Sequence, residues 1–238
     1  PYVISAFEPG SYMQLDANAN WWQTQPQVQQ IMASFFSSNK ELITAYEYGR
    51  VDTAFTRSVA AAQYKSGISS LSIAYNTRQM ECLLMNHQVF PMDSVKVRQA
   101  IRYAINVNQI SNNVYMGMTL DSDAMVPSNS WLYDDSLEST FVYNPDMARQ
   151  LLEEDGWTDL DNEGPLDKIV GNDVKHLYLQ LITYEDPDND VRYETANLIE
   201  EMLAEVGIGI SKTTAVSYQD MQSKLQSLSL IHTDAADE

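Results

Sequence analysis

The first seventeen residues alternate apolar and polar positions in two short runs, YVISAF and YMQLDA, separated by Glu8-Pro9-Gly10. A period of two, broken by Pro-Gly, predicts two strands joined as a hairpin. KELITAYEYG then shifts to helical spacing, and Gly49 stands where a left-handed residue would close the helix. VDTAF follows as an expected short strand and residues 58–64 as a short helical piece, while SSLSIAYN and MECLLMN read as extended segments.

From Ser94 the period becomes that of an amphipathic helix. Val97, Ile101, Ala104 and Ile105 stand at i, i+4, i+7 and i+8 and share one face. A second short helix is expected from Val107 to Tyr115. The next stretch, GMTLDSDAMVPSNSWLYDDSLEST, has no steady period and is rich in Ser, Asp and turn formers, so it reads as a long ordered loop, a class often functional. NPDMARQLLEEDGW restores helical order: Asn144 caps, Pro145 fits the first turn, Gly156 closes, and Met147, Ala148, Leu151 and Leu152 form the apolar face. An exposed turn, DLDNEGPLD, precedes an expected strand at HLYLQLITY. A long helix then turns Leu198, Ile199, Met202, Leu203 and Val206 inward and ends at Gly207. The strand IGISKTT and a helix from Ser217 to about Leu228 complete the order. Helices and strands alternate over this half, which indicates an α/β or mixed layered fold, with a seam in the extended stretch from Leu71 to Asn86.

Composition supports a packed core, with 44% hydrophobic and 10% aromatic residues among 238. No window reaches the roughly 18 apolar residues of a membrane-spanning helix. The opening residues lack the basic start and apolar run of a signal peptide, so an exported form is expected to have lost its leader. A net charge of −19 repels phosphates and anionic membrane surfaces and argues against a nucleic acid partner. The acids are spread along the chain, which fits solubility better than a special tail. Cys82 is the single cysteine, so no intrachain disulfide forms, and three scattered histidines offer no zinc spacing.

Catalytic signatures are missing: the chain has no GxSxG elbow, glycine-rich phosphate loop, HExxH or CxxC. His87, His176 and His232 lie far apart and read as surface or strand residues. Asp159, Asp161, Asn162, Glu163 and Gly164 resemble an acidic calcium loop, but Pro165-Leu166-Asp167-Lys168 breaks the ligand spacing, so a solvated turn is expected. Cys82 has no basic neighbour to activate it and reads as a buried or pocket-lining thiol. Trp131 and Tyr133 lie in the long loop, where they either stack on a ligand or pin the loop to the core. In FPMDSVKVRQAIRYAIN, Asp93 and Ser94 are the expected helix cap, and Arg98 an ion-pairing scaffold group rather than a ligand anchor.

MECLLMNHQVFPMDSVKVRQAIRYAINVNQISNNVYMGM resembles the central signature of the family 5 extracellular solute-binding proteins, the oligopeptide- and dipeptide-binding type that serves ABC importers. The shared pattern is a strand ending in Asn86, then Pro91, Asp93, Val97-Arg98-Gln99-Ala100, an apolar helix, Tyr115 and Gly117. PYVISAFEPGSYMQLDANANWW, YEYGRVDTAF, YNPDMARQLLEEDGW and the stretch from Glu201 to Ile208 resemble other family segments in family order.

The resemblance implies an α/β fold, periplasmic-binding-protein-like of type II, two-lobed with mixed sheets flanked by helices and here incomplete. Residues 1–77 would belong to the first lobe leading into the hinge, and residues 78–238 to the second. It implies a binding protein and no enzyme, with no cofactor. The solute, a peptide in the leading case, sits in the cleft, and ABC importer permease subunits are the partners. Sugars, nickel chelates or a sensing role on the same fold are the alternatives. The implied protein is a monomer of the periplasm or cell surface, with any lipid anchor outside this chain. Cys82, Leu84 and Asn86 alternate on one strand face and are the expected cleft wall, with Trp131 and Tyr133 as further candidates. Oligopeptide-binding members carry glutamate and tyrosine where this chain has Cys82 and Leu84, so the expected wall is more apolar. The tail LIHTDAADE shows no match to the family's next segment.

Overall fold

The computed structural model describes residues 1–65, 67, 70–75, 77, 80–120, 122, 126, 130–134, 136, 141–162, 164–184, 191–215, 217–224 and 230–234. They form two compact units, Pro1–Ala61 and Ala62–Glu238.

In the first unit β1 (Tyr2–Glu8) and β2 (Tyr12–Ala17) make the expected antiparallel hairpin, and β3 (Gln30–Ser34) pairs on the other side of β2. Pro9 and then Gly10, at a φ of 74°, turn the chain so that the Ser11 N–H reaches the Glu8 carbonyl at 3.1 Å. Helix α1 (Asn39–Glu47) starts from Ser38, whose Oγ accepts from the Glu41 N–H at 3.2 Å. The Glu41 carboxylate reaches back to the N–H and hydroxyl of Ser37, and Gly49 follows the helix at a φ of 65°. VDTAF is not a strand: among the described residues it belongs to no sheet ladder, and an extended segment without a ladder is only a loop. A 3-10 helix, Val59–Tyr64, matches the expected short helical piece. Residues 70–75 likewise carry no ladder, while Ser69 and Asn76 lie outside the described residues.

The second unit is built on a mixed sheet of four strands, β4 (Glu81–Met85), β7 (Tyr178–Tyr184), β8 (Gly209–Ala215) and β9 (Leu230–Asp234), ordered β4-β9-β7-β8. β7 runs parallel to β8 and β9, and β9 runs antiparallel to β4. Leu179, Leu181 and Ile182 are buried, as befits an interior strand covered on both faces. Helix α5 (Val191–Ala204) joins β7 to β8 and buries Ala196, Ile199, Met202 and Leu203. Helices α2 (Val95–Ala104), α3 (Val107–Asn113) and α4 (Pro145–Glu154) contribute to the same hydrophobic core, and α2 and α4 meet, with Val97, Ala100, Ile101, Ala104, Ala148 and Leu152 buried in that core. The alanines at this contact let the helices pack closely. Helix α6 (Tyr218–Lys224) packs on β7 and β8 with Met221 buried.

In the second unit two expectations need correction, and a tail with no expected element joins the sheet. HLYLQLITY is not one strand: His176 ends β6 (Asp173–His176), which pairs with β5 (Asp167–Val170), and β7 begins at Tyr178. The two-residue turn Gly171-Asn172, with Gly171 at a φ of 66°, is a hairpin signal the apolar run obscured. The unmatched tail supplies β9, an interior strand. Ser94 occupies the cap position of α2 but makes no side-chain cap; its hydroxyl instead turns to donate a charge-assisted hydrogen bond to Asp155 Oδ1 at 2.6 Å. Of the expected loop, residues 121, 123–125, 127–129, 135 and 137–140 lie outside the described residues, as does the expected end of the last helix at 225–228.

Candidate functional site

β4 lies at an edge of the sheet and alternates as the expected wall requires. Leu83 and Met85 pack against the hydrophobic core, so Cys82, Leu84 and Asn86 face the other way. Leu84 is 38% exposed, while Cys82 and Asn86 are half-buried. Cys82 forms no disulfide. Asn86 ends the strand with its Oδ1 accepting from the Gln88 N–H at 3.1 Å, so part of that amide is committed to the turn. The strand is anchored from the core side by Glu81, whose carboxylate takes two hydrogen bonds from Arg192 of α5 at 3.0 and 3.2 Å. The Arg192 side chain is 8% exposed, so this planar pair fixes the start of β4 from within the fold.

The loop aromatics divide. Trp131 is 89% exposed and does not pin its loop to the core, whereas Tyr133 is half-buried beside a turn closed by its N–H on the Ser130 carbonyl. Arg98 is a scaffold group, but among the described residues it forms no ion pair: Nη1 donates to the carbonyls of Met92 at 2.7 Å and Asp93 at 3.1 Å, holding the turn before α2. The acidic turn at Asp159–Asn162 is exposed, with the Asn162 N–H on Asp159 Oδ1 at 2.7 Å. His176, read from the sequence as partnerless, has its Nδ1 2.6 Å from Asp167 Oδ1; nine residues apart in sequence, they are opposite each other across the β5–β6 hairpin. A concavity of about 490 Å³ inside the first unit, lined by Tyr12, Gln14, Met32, Phe36 and Arg50 among others, had no signal in the sequence.

Within the second unit, β4 is an edge strand of a helix-covered mixed sheet and carries a partly exposed apolar face. The class this defines is the solute-binding protein of the type II periplasmic fold. The chain belongs to the bacterial extracellular solute-binding proteins, family 5, whose middle-region model matches residues 1–230. The oligopeptide-binding protein AppA of Bacillus subtilis is 25% identical over 239 residues, covering 94% of this chain and 40% of the relative. The heme-binding protein A of Haemophilus influenzae is 25% identical over 158 residues, covering 66% and 29%. NikA from Brucella suis, solved with Fe(III)-EDTA, shares the fold with a TM-score of 0.80 at 18% identity, covering 98% of this chain and 47% of that one. The chain therefore spans less than half the length of each. No described helix is long and apolar enough to cross a membrane.

Proposed function

We propose that the protein is the extracytoplasmic solute-binding component of an ABC importer, taking up a small solute between two lobes and handing it to membrane permease subunits. A peptide is the leading solute. The observation that carries the reading is the family match along residues 1–230, joined to the outward face of β4 with Leu84 partly exposed on it.

In this reading residues 1–77 belong to the first lobe and residues 78–238 to the second. Contacts from both lobes favour a closed state, and the permease responds to that state. The protein works as a binder without chemistry on its solute, as a monomer outside the cytoplasm. Cys82, Leu84 and Asn86 line the cleft, with Trp131 and Tyr133 supplying aromatic surface from the loop. An apolar wall at Leu84 favours a peptide with an apolar side chain there, since burying such a group is worth about 1.5–3 kcal/mol.

Thermal unfolding of the full-length protein against short-peptide pools, sugars and nickel chelates tests this. A solute that binds only the native state raises the melting temperature. A shift with peptides supports the assignment; a shift only with a sugar or nickel chelate replaces the solute class. Saturable turnover of a peptide or ester that survives repurification overturns the binding-protein reading.

A further inference from the structure

Asp167 opens β5 and His176 ends β6, and the hairpin register sets them directly opposite each other. Asp161 approaches from the preceding turn, so that one ligand atom each from Asp161, Asp167 and His176 lies within 4.8 Å of the others. Asp167 is 1% exposed, whereas Asp161 is exposed and more than half of the His176 side chain reaches solvent, so the group is rooted in the fold and open on one side.

The register explains the Asp167–His176 pair as cross-strand partners. Asp161 stands outside that register and reaches the pair from the turn before β5. Two carboxylates beside one imidazole keep a negative surplus even when the ring is protonated, in a chain that already carries a net charge of −19. The lysines of the hairpin do not offset it: Lys168 Nζ is 2.8 Å from Asp155, and Lys175 Nζ is 3.5 Å from Asp173. Together Asp161, Asp167 and His176 make a mixed nitrogen and oxygen donor set, with one member buried and the others accessible.

We propose that Asp161, Asp167 and His176 bind a first-row divalent cation of the zinc or nickel kind, each giving one donor atom, with water completing the coordination. Donors about 2.0–2.2 Å from a shared ion stand roughly 3–3.5 Å apart, so the group closes on the ion by about an ångström, and the turn bearing Asp161 supplies that movement. The ion replaces the proton shared by Asp167 Oδ1 and His176 Nδ1. From a neutral ring that proton moves to Nε2; from a protonated ring one proton leaves to solvent. An imidazole among two carboxylates favours zinc or nickel over calcium and magnesium, which take all-oxygen shells. Bound there, the ion ties the turn before β5 to the foot of the hairpin. The importer reading is not needed for this site.

Isothermal titration of chelator-treated full-length protein with Zn²⁺ is expected to show saturable binding that Asp161→Asn and His176→Gln each weaken about tenfold or more. His87→Gln is expected to leave it unchanged. The His176 ring resonances should shift on addition of Zn²⁺ in the parent protein and not in Asp161→Asn at the same concentration. Zn²⁺ binding that is equal in the parent and both variants, or no uptake at millimolar Zn²⁺, overturns the proposal. Both substitutions are at accessible side chains, and circular dichroism checks that each variant is folded.

Discussion

The carboxylate of Asp155 gathers donors from three parts of the second unit: Ser94 Oγ at 2.6 Å, Lys168 Nζ at 2.8 Å and Trp157 Nε1 at 3.1 Å. Through it the start of α2, the end of α4 and β5 are held in register. Asp155→Ala is expected to cost about 1–3 kcal/mol in urea unfolding, because it leaves several donors without their acceptor. Arg98 serves a similar end by binding two carbonyls, so Arg98→Ala is expected to lose about 1–2 kcal/mol of stability while solute affinity holds. Leu84 makes the opposite prediction. Half-exposed and turned from the core, it can be replaced by Gln with little change in melting temperature, yet calorimetry should show solute binding weakened about tenfold if it lines the cleft. An unchanged affinity would remove Leu84 from the wall.

At the scale of elements, Gly207 joins α5 to β8. Its φ is +84°, and a Cβ there would meet Leu166 Cγ at 2.6 Å, while its carbonyl accepts from the Leu166 N–H at 2.8 Å. Gly207→Ala therefore meets both backbone strain and a side-chain clash, and is expected to lower stability by about 1–3 kcal/mol in denaturant unfolding, with the second unit affected first. The helices were legible in the sequence because each carried its own signals: Asn144 and Pro145 at the start of α4, the spaced Val97, Ile101 and Ala104 in α2, and the inward row of α5. The β5–β6 hairpin has its own turn signal in Gly171-Asn172, which the apolar run after it obscures. β9 gave no such warning, since a strand flanked on both sides owes its existence to β4 and β7 more than to its own five residues.

For the molecule as a whole, acid stability follows from the same carboxylate. Burial alone pushes the Asp155 carboxyl up, but the hydrogen bonds from Lys168, Ser94 and Trp157 and the charge of Lys168 outweigh it and hold its pKa below the ordinary value. A folded pKa below the unfolded one stabilises the protein above the unfolded value, and that stability is lost as pH falls through the folded one. The difference in urea midpoint between the parent protein and Asp155→Asn is thus expected to be full at pH 7 and to shrink as pH falls below about 4. A difference unchanged at pH 3 would show that protonation of Asp155 is not involved. The order of the helices, the first hairpin and the face of β4 were set by local spacing, because capping, periodicity and alternation act between residues close in sequence. Only the tertiary structure decided that Ser94 would serve Asp155 instead of its own helix, that Arg98 would bind carbonyls, and that the tail would enter the sheet. The same holds for His176, which meets Asp167 through the hairpin register with Asp161 nearby. Each of these depends on which partners folding brings within about 3 Å, and a hydrogen bond or ion pair of that length leaves no trace in the spacing of the sequence.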